Sequence, residues 1–332
     1  MGFQFSYEFD FWGKNQNRMR AAIGEHEAAW AEREQARLIL SISVADAYFQ
    51  YLILQKRENV YERIIELQAK LIEIEEEKKK RNISSNLQIL PLKQSLESYV
   101  AARHKATQNK EAAYYKLQAL VNPDFNEPIE LKALTIDTYL PLPIPKNIHL
   151  DLLHRRPDLT ALKWKVEAKD RERLSAQAEF YPDFQFLGLV GIQTISPQKL
   201  FRGDSLYGNW GPAVHLPIFT GGALSANYLA KDEETLLAIL EYEQGVLDAV
   251  SETLIALSET IELNERYEAN RRREEESARF EALIKARQKN NLATTQDLIR
   301  SEIQTYLARD EKFKMEGLLF RGILDVIRSV GG

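Results

Sequence analysis

The residue types that most often carry catalysis or metal binding are few in this chain, and they are not grouped. The chain contains no cysteine, which excludes disulfides, thiolate zinc sites and cysteine nucleophiles. Five histidines are scattered without the spacing of metal ligands: His26, His104, His149, His154 and His215. No phosphate-binding glycine loop and no Ser-His-Asp arrangement with supporting context is found. We therefore predict a protein that is not an enzyme and binds no metal or cofactor.

One charged cluster could be interpreted as a binding site: Arg155-Arg156-Pro157-Asp158. A structural corner explains it better, because Asp158 can cap the helix that follows and the two arginines can pair locally.

The start of the chain alternates strictly between two kinds of side chain. One face would carry Phe3, Phe5, Tyr7, Phe9 and Phe11, and the other Gln4, Ser6, Glu8 and Asp10. A period of two over residues 3–12 predicts a β-strand with one apolar and one polar face. In a soluble sheet the aromatic face would be buried in a core. In a membrane barrel it would face lipid, and about 9–11 residues is the length that such a strand needs.

Composition does not point to nucleic acid, because the formal net charge is only −5. Charged residues make up 28% of the chain, as in water-exposed proteins. No apolar run approaches the roughly 20 residues of a membrane helix. No signal peptide precedes the first strand pattern, and taken alone this predicts a cytoplasmic protein.

Two long segments without proline, residues 14–81 and 224–290, predict long helices. At about 1.5 Å per residue each would reach ~100 Å, which suits a rod or a coiled bundle. Leu40, Val44, Ala47, Tyr51 and Leu54 form a coiled-coil seam in the first helix, and Leu247, Val250, Leu254, Leu257 and Ile261 form one in the second.

Shorter elements complete the prediction. Helices are expected at 86–120, 158–178 and 295–330, and strands at 184–195 and 207–219. Between the second and third helices, residues 122–157 hold six of the eleven prolines, which predicts a linker.

Sharp corners join these elements. Gly13 follows the first strand, and Pro217, Gly221 and Gly222 follow the last one, so that each strand can bend into a long helix. Each long helix then ends in a tight turn to a shorter helix. The first turn comprises Asn82, Ile83, Ser84 and Ser85, and the second Asn291, Leu292, Ala293 and Thr294.

The two halves of the chain share one spacing. Gly13 and Gly222 are 209 positions apart, and so are Asn82 and Asn291. This predicts two internal repeats, each a strand, a long helix, a turn and a shorter helix. Such a unit cannot bury both a strand edge and a long amphipathic helix alone. We therefore expect several chains to close one barrel of strands and one hollow bundle of helices.

These motifs resemble the TolC-like outer-membrane efflux channels, in particular the NodT-like branch that serves tripartite multidrug or metal pumps. The matching pieces cover nearly the whole chain: residues 6–14, 153–159, 181–182 and 216–222, and the two helix turns. The Leu153-x-Arg155-Arg156-Pro157-Asp158-Leu159 motif is quite specific to that branch.

The resemblance implies a mainly α fold with a small β part and a homotrimer that crosses the outer membrane. Residues 1–12 and 183–219 would be barrel strands in contact with outer-membrane lipid. Residues 13–121, 158–182 and 220–330 would form a periplasmic α-helical barrel, and residues 122–157 an equatorial region. The helix turns would contact a periplasmic adaptor bound to an inner-membrane transporter. Asp297 would sit at the periplasmic gate.

Two departures from the family pattern concern the turns and the position of Asp297. Asparagine replaces the glycine of each turn, at some conformational cost. The first-repeat counterpart of Asp297 is Gln88. Asp297 has an alternative role: it could stabilise the start of its helix, where the helix dipole favours a negative charge.

The family's signal peptide, N-terminal helix and first strand have no counterpart here, so we expect an N-terminally truncated chain. Other interpretations are a soluble coiled-coil scaffold and a non-functional fragment.

Overall fold

A computed structural model describes residues 2–122, 124, 127–129, 131, 154–192 and 206–332. Its elements, in order, are β1 (Gly2–Phe9), α1 (Lys14–Lys80), α2 (Asn86–Val121), α3 (Pro157–Ala178), β2 (Asp183–Ile192), β3 (Leu206–His215), α4 (Ala223–Lys289) and α5 (Thr295–Ser329). The predicted class, mainly α with a small β part, is confirmed. Most of the predicted linker at 122–157, and Leu153 and His149 within it, lies outside the described residues.

The three strands form one antiparallel sheet in the order β1-β2-β3. The last strand is shorter than predicted, because β3 ends at His215 rather than at 219. Pro217 has no N–H to donate to a strand ladder. The next amide, that of Ile218, bonds instead to the carbonyl of Leu216 at 3.0 Å, which turns the chain away from the sheet.

Both long helices are present, and each has 67 residues. Within α1, one 18-residue window reaches a mean hydropathy of 1.4, which is enough to cross a membrane by length and composition alone. This corrects the expectation that no segment would pass that test. It is weak evidence for a membrane helix, since core helices of soluble proteins pass it too.

The chain divides into two compact units, residues 1–35 with 156–249 and residues 36–155 with 250–332. In the second unit, α2 runs antiparallel to α1: Lys93 bonds Glu76 at 2.7 Å and Thr107 bonds Glu58 at 2.6 Å. The α5 helix runs antiparallel to α1, since Arg57 bonds Asp310 and Asp46 bonds Arg321, and antiparallel to α4, since Glu274 bonds Arg309 and Thr253 bonds Ser329. The order of the helices in this unit is therefore α2, α1, α5, α4.

Contacts between α1 and α5 form the main apolar core of the second unit. Val60, Ile64, Leu67 and Leu71 are buried on α1, and their spacing of four, three and four residues is that of a coiled-coil seam. Ile299 and Ile303 of α5 complete this cluster. Close by, Arg57 holds Asp310 through two bonds at 2.7 and 3.1 Å, and Tyr61 donates to the same carboxylate.

The predicted seams are only partly buried. On α1, Ala47 and Leu54 are buried but Leu40 is exposed. On α4, Leu247 and Leu254 are exposed and Leu257 is buried, while Thr253 and Thr260 contact α5. Small side chains let the helices approach closely: a Cβ on Gly322 would lie 2.9 Å from the Thr260 hydroxyl.

The first unit holds the sheet, α3 and the N-terminal parts of α1 and α4. Helix contacts are close here too, since a Cβ on Gly24 would lie 3.0 Å from that of Ala168. At the junction of sheet and helices, the Trp12 indole donates to the Pro182 carbonyl at 2.9 Å. Lys14 pairs with Glu8 at 3.1 Å and with Asp183 at 3.4 Å. These bonds fix the start of α1 to the end of the sheet.

Candidate functional site

The first helix turn, which joins α1 to α2, is a closed backbone structure. Asn82 has a φ of +60°, as predicted from the tolerance of asparagine for left-handed backbone. Its N–H bonds the Lys79 carbonyl at 2.9 Å, and the Ile83 N–H bonds the Lys78 carbonyl at 2.9 Å. This pair of bonds is the Schellman motif, which satisfies carbonyls at the end of a helix. Ser85 is the N-cap of α2.

The second turn, which joins α4 to α5, repeats this geometry. Asn291 has a φ of +55°. Its N–H bonds the Gln288 carbonyl at 3.0 Å, and the Leu292 N–H bonds the Arg287 carbonyl at 2.9 Å. Thr294 caps α5. The same backbone closure therefore occurs at two positions 209 residues apart.

Asp297 lies at the start of α5, where its carboxylate completes a capping box. The Thr294 N–H donates to it at 2.9 Å and the Thr294 hydroxyl at 2.7 Å. In return, the Asp297 N–H donates to the Thr294 hydroxyl at 3.1 Å. The bonds from Thr294 lower the pKa of Asp297, which is exposed. The capping role is thus observed, while the gate role stays a prediction.

A buried polar network, which the sequence-based analysis did not predict, joins the two turns. Glu75 of α1 is only 5% exposed, and it accepts a bond from the Ser84 hydroxyl at 2.7 Å and another from Gln296 of α5. Lys78 donates to Glu75 at 3.3 Å and also bonds Gln296. The bonds from Ser84 and Gln296 lower the pKa of Glu75. These contacts hold the two turns side by side.

A signal for Glu75 was present in the sequence. The buried seam of α1 runs through Leu67 and Leu71 and continues with a step of three to Ile74, and Glu75, four residues after Leu71, lies on the same side of the helix. A carboxylate at a seam position must find hydrogen-bonding partners if it is buried. The partner Gln296 could not be read in the same way, because it required knowing that α1 lies against α5.

The predicted corners are observed, with one correction. Gly13, Gly221 and Gly222 all have positive φ, between +59° and +86°. Asp158, however, is not the cap of α3, which begins at Pro157 with Arg156 as the N-cap. Proline suits the first position of a helix, so α3 includes Pro157 and its N-cap lies before Asp158.

Asp158 instead binds the Arg156 guanidinium at 3.0 and 2.7 Å. Its pKa is lowered: burial raises it, but the bonds with Arg156 outweigh that effect. Arg155 lies in the turn just before α3. The cluster therefore forms a local ion pair at the start of α3, and its role as a structural corner stays a prediction.

The sheet has one apolar face that is open to solvent. Pairing places Phe5 opposite Gly188, and Gly188 opposite Trp210. The residues of this face are Phe3, Phe5, Tyr7, Phe9, Phe184, Phe186, Gly188, Val190, Ile192, Leu206, Gly208, Trp210, Pro212 and Val214. Phe3 is 87% exposed and Trp210 75%. The opposite face is mixed, and its residues include Gln4, Ser6, Glu8, Gln185, Leu187, Leu189, Asn209 and His215.

Among the described residues, no group of three or more His, Asp or Glu side chains has the geometry to hold a metal ion.

Comparisons with known proteins agree on one family. The sequence profile described as "Outer membrane efflux protein" matches residues 1–122 and 150–329. The chain is 28% identical over 275 residues to the multidrug resistance outer membrane protein MdtP of Escherichia coli K12, which covers 81% of this chain and 55% of MdtP. It is 26% identical over 337 residues to MdtQ of Escherichia coli O6:H1, which covers 100% of this chain and 69% of MdtQ.

The chain therefore spans about half the length of the first curated relatives that it matches. Among solved structures, the outer membrane protein VceC of Vibrio cholerae superposes with a TM-score of 0.81 at 26% identity. That alignment covers 100% of this chain and 79% of the VceC chain.

Proposed function

Because this chain belongs to the outer membrane efflux protein family, we propose that it is the outer-membrane channel component of a tripartite efflux pump. Three copies would form one duct, through which drugs, metals or other small molecules leave the cell. No bond is made or broken in this process, so no catalytic residue, metal or cofactor is needed. The partner transporter would select the cargo.

The observation that carries the proposal is the open apolar face of the sheet. Burying a large apolar side chain is worth about 1.5–3 kcal/mol. Five such residues are exposed on this face: Phe3, Phe5, Tyr7, Phe9 and Trp210. Burying all five would be worth about 8–15 kcal/mol, which is comparable to the 5–15 kcal/mol that stabilises a typical protein. In the proposed barrel, this face meets outer-membrane lipid and the opposite face lines the pore.

The helical parts supply the periplasmic section of the proposed duct. We propose that residues 13–121, 158–182 and 220–330 build it, and that residues 122–157 form its equatorial region. The two turns, Asn82–Ser85 and Asn291–Thr294, would contact a periplasmic adaptor that is itself bound to an inner-membrane transporter. Their rigid closure and their position at the ends of the hairpins support this role. Asp297, beside the second turn, would contribute to the periplasmic gate.

Membrane fractionation of bacteria that express the protein from its own gene tests the proposal. We expect the protein in the outer-membrane fraction, extracted only by detergent and cross-linked as a trimer. A strain that lacks the gene should become more sensitive to toxic compounds and recover when the gene is restored. A soluble, monomeric protein in the cytoplasmic fraction would contradict the channel and favour a scaffold.

A further inference from the structure

The ends of the two helical hairpins are basic in a chain that is acidic overall. The whole chain has a net charge of −5. Around the first turn, residues 75–93 contain five basic and three acidic side chains. Around the second, residues 281–300 contain four basic and two acidic ones. This reversal of sign marks the turns as a distinct surface.

At the first turn, nearby lysines already pair with the acidic side chains. Glu76 pairs with Lys93 at 2.7 Å, and Glu77 with Lys80 at 2.6 Å. Glu75 is buried with Lys78. Among the described residues, this leaves the exposed Arg81 without a carboxylate within ion-pair distance.

The second turn carries more free positive charge. Arg287, Lys289 and Arg300 are exposed, and within the described part of the chain none of them forms an ion pair. Asp297 is engaged by Thr294 in the capping box. Arg81, Arg287 and Lys289 therefore surround the turns with positive charge that forms no ion pair within the described residues, while Arg300 lies close enough to Asp297 to attract it.

Exposed apolar side chains lie among these charges. Ile83 is 72% exposed, Leu87 83% and Leu292 68%. An apolar centre with a charged rim is the usual composition of a protein docking surface. The Schellman bonds and the Glu75–Gln296 contact hold both turns in a fixed relation, so a partner would meet a preformed shape.

We propose that this surface, defined by Arg81, Ile83, Arg287, Lys289 and Leu292, docks a protein segment that carries carboxylates around an apolar side chain. Opposite charge across an interface raises the association rate and selects the partner. That the partner is the periplasmic adaptor rests on the proposed function. The acidic character of the docking segment is the new inference, and it follows from the exposed basic side chains that form no ion pair.

The test uses the full-length protein in detergent. The probes are two synthetic helical hairpins, each with one leucine in its turn. One hairpin has glutamates around the leucine, and the other has lysines. Fluorescence anisotropy measures their binding at about 50 mM and about 500 mM salt, where the Debye length falls from about 14 to about 4 Å. We expect the glutamate hairpin to bind at least about tenfold more tightly at low salt, with most of that difference lost at high salt.

Charge reversal provides the matched variants. The double variant Arg81→Glu with Arg287→Glu should reverse the preference for the two hairpins. The control, Arg272→Glu with Arg273→Glu, changes the same net charge at exposed positions of α4 away from the turn, and it should leave the preference unchanged. Equal binding of both hairpins, or a preference that the turn variants do not alter, would overturn the inference.

Two further measurements distinguish a membrane from a protein partner, and a failure of the docking inference from a failure of the channel proposal. Vesicles of phosphatidylglycerol, compared with phosphatidylcholine, test whether the surface binds an anionic membrane instead. Tighter binding to the anionic vesicles than to the glutamate hairpin would overturn the proposal of a protein partner. Trimers of the same variants are measured in the outer-membrane fraction. Normal trimers without hairpin preference would refute the docking inference and leave the channel proposal intact.

Discussion

Single asparagines determine the backbone of both helix turns. Asn82 and Asn291 have φ of +60° and +55°, in the region where most side chains are strained by about 1–2 kcal/mol. Asparagine reaches this region more readily, and glycine without strain. The turns therefore need one of these two residue types.

We expect Asn291→Ala to lower the stability of the second turn by about 1 kcal/mol, because alanine keeps the strain and loses the side-chain amide. Asn291→Gly should be no less stable than the wild type. Asn290→Ala is the control, since that neighbour lacks a positive φ. Thermal unfolding by circular dichroism measures the effect. Equal losses at positions 290 and 291 would show that backbone strain is not the cause.

A second residue-scale prediction concerns Glu75. Bonds from Ser84 and Gln296 hold its pKa below the ordinary value of 4.5. A carboxylate whose pKa is lowered by folding stabilises the fold fully above that ordinary value, and this contribution disappears as the pH falls through the lowered pKa. Lys78 faces the same carboxylate, and Asp297, whose pKa is also lowered, lies near Lys78.

We therefore expect hydrogen exchange at the two turns, corrected for its intrinsic pH dependence, to accelerate below about pH 4.5. In Glu75→Ala it should already be about tenfold faster at neutral pH, because Gln296 and Lys78 lose a buried partner. Glu76→Gln, which removes a bond to α2 only, is the control. Asp297→Asn removes the second carboxylate, so that its contribution to the acid-induced change can be measured apart from that of Glu75. If Glu75→Ala keeps the acid-induced change, that change does not come from Glu75, and only its loss in Asp297→Asn would assign it to Asp297.

Within the sheet, one glycine permits the aromatic packing of the apolar face. A Cβ on Gly188 would lie 2.0 Å from the ring of Phe5, which crosses over β2. That ring lies 6.2 Å from the ring of Phe186, and Phe186 lies 6.0 Å from Trp210. The row of rings across three strands therefore depends on the missing side chain.

We expect Gly188→Ala to destabilise the assembled protein by about 1–3 kcal/mol, since the Phe5 ring must leave its position. Gly211→Ala is the control, because a Cβ there meets nothing within 4 Å. The heat resistance of the trimer on a gel measures both. In a Phe5→Ala background the Gly188→Ala change should cost little. A full cost in that background would place the clash elsewhere.

Local sequence signals predicted most elements of the fold. The helices begin and end near the predicted residues because proline, glycine and asparagine act on their own neighbours. The burial of α4 was predicted less well. Leu247 and Leu254 have a seam spacing, yet they are exposed, and the chain itself packs α4 against α5 through Thr253 and Thr260. Hydrophobic spacing identifies a face that needs cover, but it does not say which helix covers it.

The candidate site could likewise be predicted only in part. The left-handed asparagines and the caps follow from single residues and could be predicted. The contact of Glu75 with Gln296 depends on α1 lying beside α5, which is set by packing over many residues. Misplacing the α3 cap at Asp158 had a local cause, because Pro157 takes the first helical position itself.

At the scale of the whole molecule, exposed apolar side chains on helices and sheet indicate where other molecules must cover this chain. Leu229, Leu236, Leu240, Leu247 and Leu254 are exposed along α4 at coiled-coil spacing. One chain leaves this line uncovered. We propose that sister chains cover it in the trimer, while lipid covers the apolar face of the sheet.

The last prediction distinguishes the two faces of the sheet with neighbouring residues. Trp210 and Asn209 are adjacent on β3, so that their side chains point to opposite faces. A lysine on the lipid side of a membrane strand costs about 2–4 kcal/mol near the bilayer centre, while one facing water costs little. Trp210→Lys should therefore reduce the amount of trimer in the outer membrane sharply, and Asn209→Lys should not.

Both variants add the same charge to the same strand one position apart, so that expression and export affect them equally. The amount of detergent-extracted trimer per cell is the measurement. A larger loss of trimer for Asn209→Lys than for Trp210→Lys would contradict the proposal. It would mean that protein covers the aromatic face and that the mixed face has no access to water. Equal, small losses would mean that the sheet lies outside the bilayer, since a lysine is tolerated at any position exposed to water.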